Sequence, residues 1–276
     1  MIYYPLIRGR QFDLLALAGL AKTLSPSIVP IIEPVKDLPS LTRVTAAFAQ
    51  ARHPLFVIAN PQVGTYGLLE TPRHRVAYDG TWVRAARYFD AQPAALVIAT
   101  TTAQLAALLP DQPVVVPDAA RFRAAGHPQA IYLSDHYPTR AATEDYYRLQ
   151  RDFYQYPQAQ LSGAGFADYP LSSHWYDEHG YPQRAIALHL LYQDRGMLYL
   201  RHFTSVNNAD YQNPKVKFFE ALAPLAPWLA AHPQAATPAT AALLELGRTQ
   251  HFPGLGTVRR LQLAHFMTVM GRWLDD

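Results

Sequence analysis

Six short apolar runs recur through the first two thirds of the chain, and each one ends in a polar residue. They occupy residues 29–33, 55–60, 96–100, 114–118, 131–135 and 163–168, and they end in Glu33, Asn60, Thr100, Asp118, Asp135 and Asp168. Short runs that are apolar on both sides are typical of parallel strands, because helices cover both faces of such a sheet. The carboxyl ends of parallel strands meet at one rim, where α/β proteins place their sites. The sequence therefore predicts where a site lies, although no motif fixes a reaction.

Segments with helical spacing of apolar residues separate these runs. The periodicity predicts helices over residues 12–24, 39–50, 81–88, 102–109, 119–125 and 143–153, and an edge strand over residues 2–7. Repeated alternation of strand and helix is the signature of an α/β fold, and eight strands close a barrel. An open doubly wound sheet is the alternative. It would carry a glycine-rich phosphate loop after its first strand, and the segment from Glu33 to Lys36 has no such pattern.

The pattern changes after Asp168. Residues 170–184 are expected to form a loop, and two apolar strands follow at residues 185–192 and 197–203. The four residues between these strands are too few for a crossover helix, so the strands must pair as an antiparallel hairpin. Helices are expected over residues 214–229, 238–247 and 257–274, the last with Thr257 as its N-cap.

These elements predict an α/β fold, specifically an irregular (β/α)8, TIM-barrel-like domain with a C-terminal β-hairpin and helical segment. We expect one domain over residues 1–276. Its strand and helix barrel would span residues 1–206, and a helical C-terminal segment, residues 207–276, would pack on it. The length of 276 residues and the 50% hydrophobic content are enough for a substantial core.

Composition excludes several classes of function. The chain has no cysteine, so thiolate nucleophiles, disulfides and zinc ribbons are ruled out. The net charge is +3 and the 24 basic residues are scattered, which disfavours a nucleic-acid partner. The N-terminus lacks the order of a signal peptide, and no stretch reaches the roughly 18 uninterrupted apolar residues that a membrane span needs. We therefore expect a cytoplasmic protein without a membrane partner.

The hairpin predicts that two histidines lie side by side. If Arg195 and Gly196 form a two-residue turn, His189 stands directly opposite His202 on one face of the hairpin; a longer turn would break this register. Such a pair suits proton donation to a phosphate or carbonyl, or metal ligation with a carboxylate. The alternative is two buried histidines that are satisfied by the backbone or by tyrosine. Arg201 would point to the opposite face, as a salt-bridge residue or an anion clamp.

The strand-end carboxylates are the other candidates. Glu33 and Asp168 would act as acid and base together with His189 and His202, because two neighbouring carboxylates shift one pKa upward. The predicted ligand-binding residues are Lys36, Asn60, Asp135 and Arg201. The alternative is that strand-end acids cap the following helices or form salt bridges. We assign no metal to the site, and the motifs identify no cofactor.

Several segments carry a family resemblance. They are residues 4–9 with Phe12 and Asp13, residues 30–36, 60–61, 165–169, His189, residues 201–205 and residues 252–257. On these segments the chain resembles, from end to end, a bacterial and phage group called beta protein or beta family protein. The resemblance implies an accessory role near mobile elements or in antiviral (phage) defence, with a possible protein partner encoded nearby. It carries over no catalytic residue.

Two functions remain open at this point. The first is an enzyme or binding protein with a polar pocket at the barrel rim for a phosphate-bearing or nucleotide-like ligand. The second is a non-catalytic scaffold that binds a partner in a defence system. The sequence does not decide between them, and it does not identify the ligand or the oligomeric state.

Overall fold

The computed structural model describes residues 1–90, 92–178 and 184–276. Its strands are β1 (Tyr3–Arg8), β2 (Ile31–Glu33), β3 (Leu55–Ile58), β4 (Val83–Tyr88), β5 (Leu96–Ile98), β6 (Val114–Pro117), β7 (Ala130–Leu133), β8 (Arg151–Gln155), β9 (Gly165–Asp168), β10 (Ala187–Asp194) and β11 (Met197–Thr204). Its α-helices are α1 (Gln11–Leu20), α2 (Pro39–Ala51), α3 (Thr102–Ala106), α4 (Ala120–Ala125), α5 (Pro214–Leu222), α6 (Leu225–Ala231), α7 (Pro238–Arg248) and α8 (Leu255–Asp275).

The chain forms two compact units. The barrel unit contains Met1–His136 and Gln158–Tyr176, with Asp275, and the sheet unit contains Tyr137–Pro157 and Asp177–Leu274, with Asp276. The expected boundary after residue 206 does not coincide with this division, because residues 184–206 belong to the sheet unit. The expectation of a single domain stays a prediction. Residues 179–183 of the expected loop lie outside the described part of the chain.

Eight parallel strands close the barrel in the order β1 to β7 and then β9. This confirms the predicted fold class. The first strand, predicted at an edge, instead pairs with both β2 and β9, so it has two neighbours. Aliphatic and aromatic side chains fill the interior, among them Leu6, Ile31, Phe56, Ile98 and Ala167. Because side chains alternate along a strand, Arg8 faces the interior like Leu6, and Tyr3 faces outward.

The strand β4 corrects the prediction of a helix over residues 81–88. Trp82, Ala85 and Phe89 have helical spacing, but this segment pairs along its length with β3 and then with β5. Alanine favours helices, and the barrel overrides that preference because closure needs a strand between β3 and β5. Arg84 lies inside this strand, 4.3 Å from the centre of the Phe56 ring, so its charge stacks on an aromatic face.

Three further helix predictions need correction. The expected helix over residues 143–153 is one 3-10 turn, Thr143–Tyr147, followed by β8, which pairs with β11. The expected helix over residues 214–229 is divided into α5 and α6 at Pro224, which has no N–H to donate. The last helix begins at Leu255, so Gly254 rather than Thr257 is its N-cap.

The sheet unit contains an antiparallel sheet with the order β10–β11–β8. The predicted hairpin and its register are confirmed: Asp194 pairs with Met197, and His189 pairs with His202. Arg195 and Gly196 both have positive φ, 50° and 80°, as a two-residue hairpin turn requires. One face of the sheet packs on α5, α6 and α7 through a core that includes Leu188, Leu190, Phe203, Phe218, Leu222, Leu225 and Leu243.

Side chains of α8 bond to the outer edge of β10. The Gln262 side chain accepts a hydrogen bond from the backbone N–H of His189 at 2.6 Å. The His265 ring contacts the carbonyl oxygen of Leu191 at 2.7 Å through Nε2, and its Nδ1 contacts the Thr237 hydroxyl at 3.0 Å. An unpaired sheet edge invites pairing with other chains, and these contacts occupy it. Among the described residues, no helix is long and apolar enough to cross a membrane.

We expect that Gly165→Ala destabilises the barrel unit. A Cβ atom at this position would lie 2.7 Å from the Tyr4 ring and 2.8 Å from the carbonyl oxygen of Ile2, where β9 meets β1. Overpacking of this kind costs about 1–3 kcal/mol, so urea unfolding should show a lower free energy. Gly126→Ala is the control, because nothing lies within 4 Å of its Cβ and only the backbone conformation, φ +63°, is affected. An equal or smaller loss for Gly165→Ala would contradict this packing.

Candidate functional site at the carboxyl end of the barrel

A buried ion pair joins the carboxyl ends of the first two barrel strands. Arg8 and Glu33 are partners in the parallel register of β1 and β2, and the Arg8 Nη1 donates a hydrogen bond to the Glu33 Oε2. Arg8 is 8% exposed and Glu33 is fully buried. Burial of two charges is costly unless further hydrogen bonds satisfy them. The surroundings of this pair supply such bonds.

Both carboxylate oxygens of Glu33 are occupied. The Tyr88 hydroxyl donates to Oε2 at 2.8 Å, and the backbone N–H of Gln62 donates to Oε1 at 2.8 Å. Burial raises the pKa of the Tyr88 hydroxyl, with Arg8 opposing the effect, so Tyr88 keeps its proton and remains a donor. Glu33 therefore has its oxygens committed to holding Arg8 and Tyr88. This arrangement suits a positioning carboxylate better than a proton-abstracting base.

Arg8 also has contacts away from Glu33. Its Nη2 donates to the carbonyl oxygen of His174 at 2.9 Å, and its guanidinium lies 5.1 Å from the centre of the Tyr169 ring. Its Nε is buried and has no acceptor among the residues that the structure describes. A guanidinium presents five donors in a fixed plane, and one donor of this group is left without an acceptor in the described part of the chain.

The predicted ligand-binding residues of this unit have different roles. Asn60 clamps the end of β3 to β4: its Nδ2 donates to the Tyr88 carbonyl at 2.9 Å and its Oδ1 accepts from the Tyr88 N–H at 2.9 Å. Asp135 holds the segment after β9, since its carboxylate lies 3.0 Å from the His174 N–H and 2.5 Å from the His174 Nδ1. Lys36 is exposed, three residues after Glu33. Asp118 follows the structural alternative, with an ion pair to Arg123 at 2.6 Å.

Asp168 does not face the same space as Glu33. Its neighbours Ala167 and Tyr169 belong to the interior cluster, and alternation turns Asp168 to the outer face of β9. There it is fully buried and accepts a hydrogen bond from the Tyr3 hydroxyl. The predicted pairing of these two carboxylates fails. Both residues end a barrel strand and therefore lie at the same rim, but alternation along the strands turns Glu33 into the barrel and Asp168 to its outer face.

The two histidines lie together in the sheet unit, in the predicted register. Their Nδ1 atoms are 2.7 Å apart, and the His202 Nε2 is 2.9 Å from the Asp152 Oδ2. An ionised carboxylate only accepts, so His202 donates through Nε2 and accepts at Nδ1 from the His189 Nδ1–H. Arg140 fixes Asp152 through two contacts of 2.7 Å. The result is a continuous chain of hydrogen bonds from Arg140 to His189.

Burial keeps this histidine pair neutral. It lowers the pKa of His202 to about 4, although Asp152 acts in the opposite direction. Burial, His202 and Arg259 together hold the pKa of His189 well below its usual value. The Tyr146 ring flanks both imidazoles, at 4.6 and 4.8 Å between centroids. These contacts favour the structural alternative for His202, which is buried and has both ring nitrogens in contact with polar partners, whereas His189 is half-buried. The prediction that this pair shares one pocket with Glu33 stays a prediction.

Arg201 lies on the opposite face from His202, as alternation predicts. It donates to the carbonyl oxygen of Gln150 at 2.8 Å and lies 5.0 Å from the centre of the Phe203 ring. Within the described ranges, no group of three or more His, Cys, Asp or Glu side chains has an arrangement that would hold a metal ion.

Sequence reasoning missed several residues of these two clusters. Arg8 ends the first strand just as Glu33 ends the second, so the rule that selected Glu33 selects Arg8 as well. Tyr88 was hidden in a predicted helix, and so was Asp152. Alternation of side chains along β9 would have placed Tyr169, rather than Asp168, in the barrel interior. The sequence signals that could have identified these residues are their position at the end of a strand and the alternation of side chains along it.

Comparisons with known proteins give no family for this chain. No protein-family model matches it, and neither a curated protein nor a solved structure matches it.

We expect the free energy of unfolding to fall as the pH is lowered from 6.5 toward 4. His202 and His265 have pKa values of about 4 in the folded protein, mainly because of burial, and near 6.5 when unfolded. The unfolded state therefore binds more protons in this window, and stability is lost as the pH falls. Urea unfolding between pH 5 and 6.5, where most carboxylates stay ionised in both states, measures the slope.

Substitution of one histidine isolates its share of that slope. His265→Gln should reduce it by up to about 1.4 kcal/mol per pH unit, the value for one proton. His251→Gln is the control, because His251 is exposed. An unchanged slope in His265→Gln would show that this imidazole is not held neutral.

Proposed function

We propose that the carboxyl end of the barrel binds a small molecule that carries an anionic group, of the phosphate-bearing or nucleotide-like class, and that Arg8 receives that group. The observation that carries the proposal is the buried guanidinium at this rim, whose Nε has no acceptor among the described residues. α/β barrels place their sites at the carboxyl ends of the strands. A buried arginine whose donors are not all used is the residue type that suits a phosphate or carboxylate.

The surroundings hold Arg8 in place for this role. Glu33 fixes one edge of the guanidinium, and Tyr88 and the Gln62 N–H fix Glu33 in turn. Tyr169 supports the guanidinium from the side. A group that is held by neighbours before the ligand arrives loses little conformational freedom on binding, which raises affinity.

Part of the segment over residues 170–176 occupies the position that we propose for the anion. The carbonyl oxygen of His174 accepts from the Arg8 Nη2, where an oxygen of the anion would bind. Asp135 holds this segment through the N–H and ring of His174. The anion therefore competes with the segment, and weaker anchoring of the segment favours binding.

This geometry supports binding more than acid–base catalysis by Glu33, because its carboxylate oxygens are already occupied. The scaffold alternative has its own support in exposed apolar side chains of the barrel unit: Leu68 is 81% exposed, and Leu69 and Tyr78 are also exposed. Exposed apolar side chains are a feature of partner-binding surfaces. The defence role, the nearby-encoded partner and the family resemblance stay predictions.

We expect Arg8→Gln to weaken the binding of a nucleoside monophosphate, measured by isothermal titration calorimetry, by about tenfold or more, since a charge-assisted bond is worth about 1.5–3 kcal/mol. Arg43→Gln is the matched control, because Arg43 is an exposed residue of α2 in the same unit. Asp135→Ala should raise the affinity, since it releases His174.

Two results would contradict the proposal. One is the absence of saturable binding by the unaltered protein at millimolar concentrations of the nucleotide and of inorganic phosphate. The other is equal weakening by Arg8→Gln and Arg43→Gln, which would indicate attraction by overall charge.

A further inference from the structure

The sheet unit contains a pocket that the proposed function does not use. Its volume is about 240 Å³. It lies where β11 continues beyond the start of β8, so part of the β11 edge borders it. The lining includes Tyr146, Gln150, Arg201, Phe203, Thr204 and Glu220. The volume is below the roughly 300–1,000 Å³ of drug-sized sites, so the pocket suits a small molecule or one chemical group.

Arg201 in this lining has no carboxylate partner among the described residues. Other arginines of the sheet unit do have one: Arg140 pairs with Asp152, Arg151 with Asp194 and Arg248 with Glu245. Arg201 instead donates through Nη1 to a backbone carbonyl, and its Nε is buried with no acceptor in the described part of the chain. A half-buried positive charge without a counter-charge is costly, and an anion would relieve that cost.

A second donor in the pocket lacks a partner as well. The Thr204 hydroxyl is buried and has no hydrogen-bond partner within the described residues. Glu220, the carboxylate of the lining, accepts hydrogen bonds from the N–H groups of Val206 and Asn207 at 2.9 and 2.8 Å. The Glu220 carboxylate thus interacts with the backbone N–H groups and does not pair with Arg201. Tyr146 and Phe203 supply aromatic surface next to the donors.

We infer that this pocket, at the edge of β11, binds a small oxyanion, a phosphate monoester or an organic acid with an aromatic or apolar portion, through Arg201 and Thr204, which border it from opposite faces of the strand. The guanidinium matches the planar edge of such an anion, and the hydroxyl donates a further hydrogen bond. The aromatic side chains contact the apolar portion. This site is independent of the one at the barrel rim, and it does not rest on the proposed function.

Titration calorimetry of the full chain with phenyl phosphate, inorganic phosphate and benzoate tests the inference. Phenyl phosphate or benzoate should bind saturably, and more tightly than inorganic phosphate. Arg201→Gln should weaken this binding about tenfold or more, and Thr204→Val about threefold to tenfold. Thr204→Ser, which keeps the hydroxyl, should bind as the unaltered protein does. Arg260→Gln is the control, because Arg260 is exposed on α8.

Arg8→Gln separates this site from the barrel rim. A phenyl phosphate site that survives Arg8→Gln and is lost in Arg201→Gln supports the inference, whatever the rim binds. Loss in Arg8→Gln with full binding in Arg201→Gln would overturn it and leave the proposed function intact. Binding by none of the three probes, or equal weakening by Arg201→Gln and Arg260→Gln in proteins with unchanged circular dichroism, would also overturn it.

Discussion

Pairing of the first strand with the last closes the barrel, and closure decides which side chain at each strand end faces the interior. Phe166 of β9 stands beside Tyr3 of β1, with their rings stacked at 4.9 Å, on the outer face. The residues in alternate positions turn inward. Arg8 and Glu33 therefore meet inside the rim, whereas Asp168 bonds to Tyr3 outside it. A shift of one residue would exchange these faces.

An ion pair buried inside the barrel needs a reason beyond stability. Buried pairs recover their desolvation cost only with good geometry and additional hydrogen bonds, and well-packed apolar side chains often serve stability as well or better. Glu33 has such bonds, from Tyr88 and the Gln62 N–H, while Arg8 keeps its Nε without an acceptor among described residues. The hydrogen-bond donor without a partner therefore belongs to the cation, Arg8. That asymmetry is why we assign the site to an anionic ligand.

The sequence was informative where a local pattern and the tertiary structure agree. The apolar runs predicted seven of the eight barrel strands, counting residues 2–7, and the turn at Arg195 and Gly196 fixed the histidine register. It was uninformative where tertiary pairing overrides local preference, as in β4, which hid Tyr88. Asp152 was hidden in the same way, because β8 forms only by pairing with β11. The partners of Glu33 and His202 depend on such pairing, so residue type alone did not identify them.

We propose that the Arg8–Glu33 pair is retained for binding at some expense of stability. The most direct test is the free energy of unfolding in urea of the triple variant Arg8→Met, Glu33→Leu, Tyr88→Phe, which replaces the polar network with apolar side chains. We predict a value equal to or higher than that of the unaltered protein. A loss of about 3 kcal/mol or more, the scale of a broken buried pair, would contradict the claim and make the network a structural one.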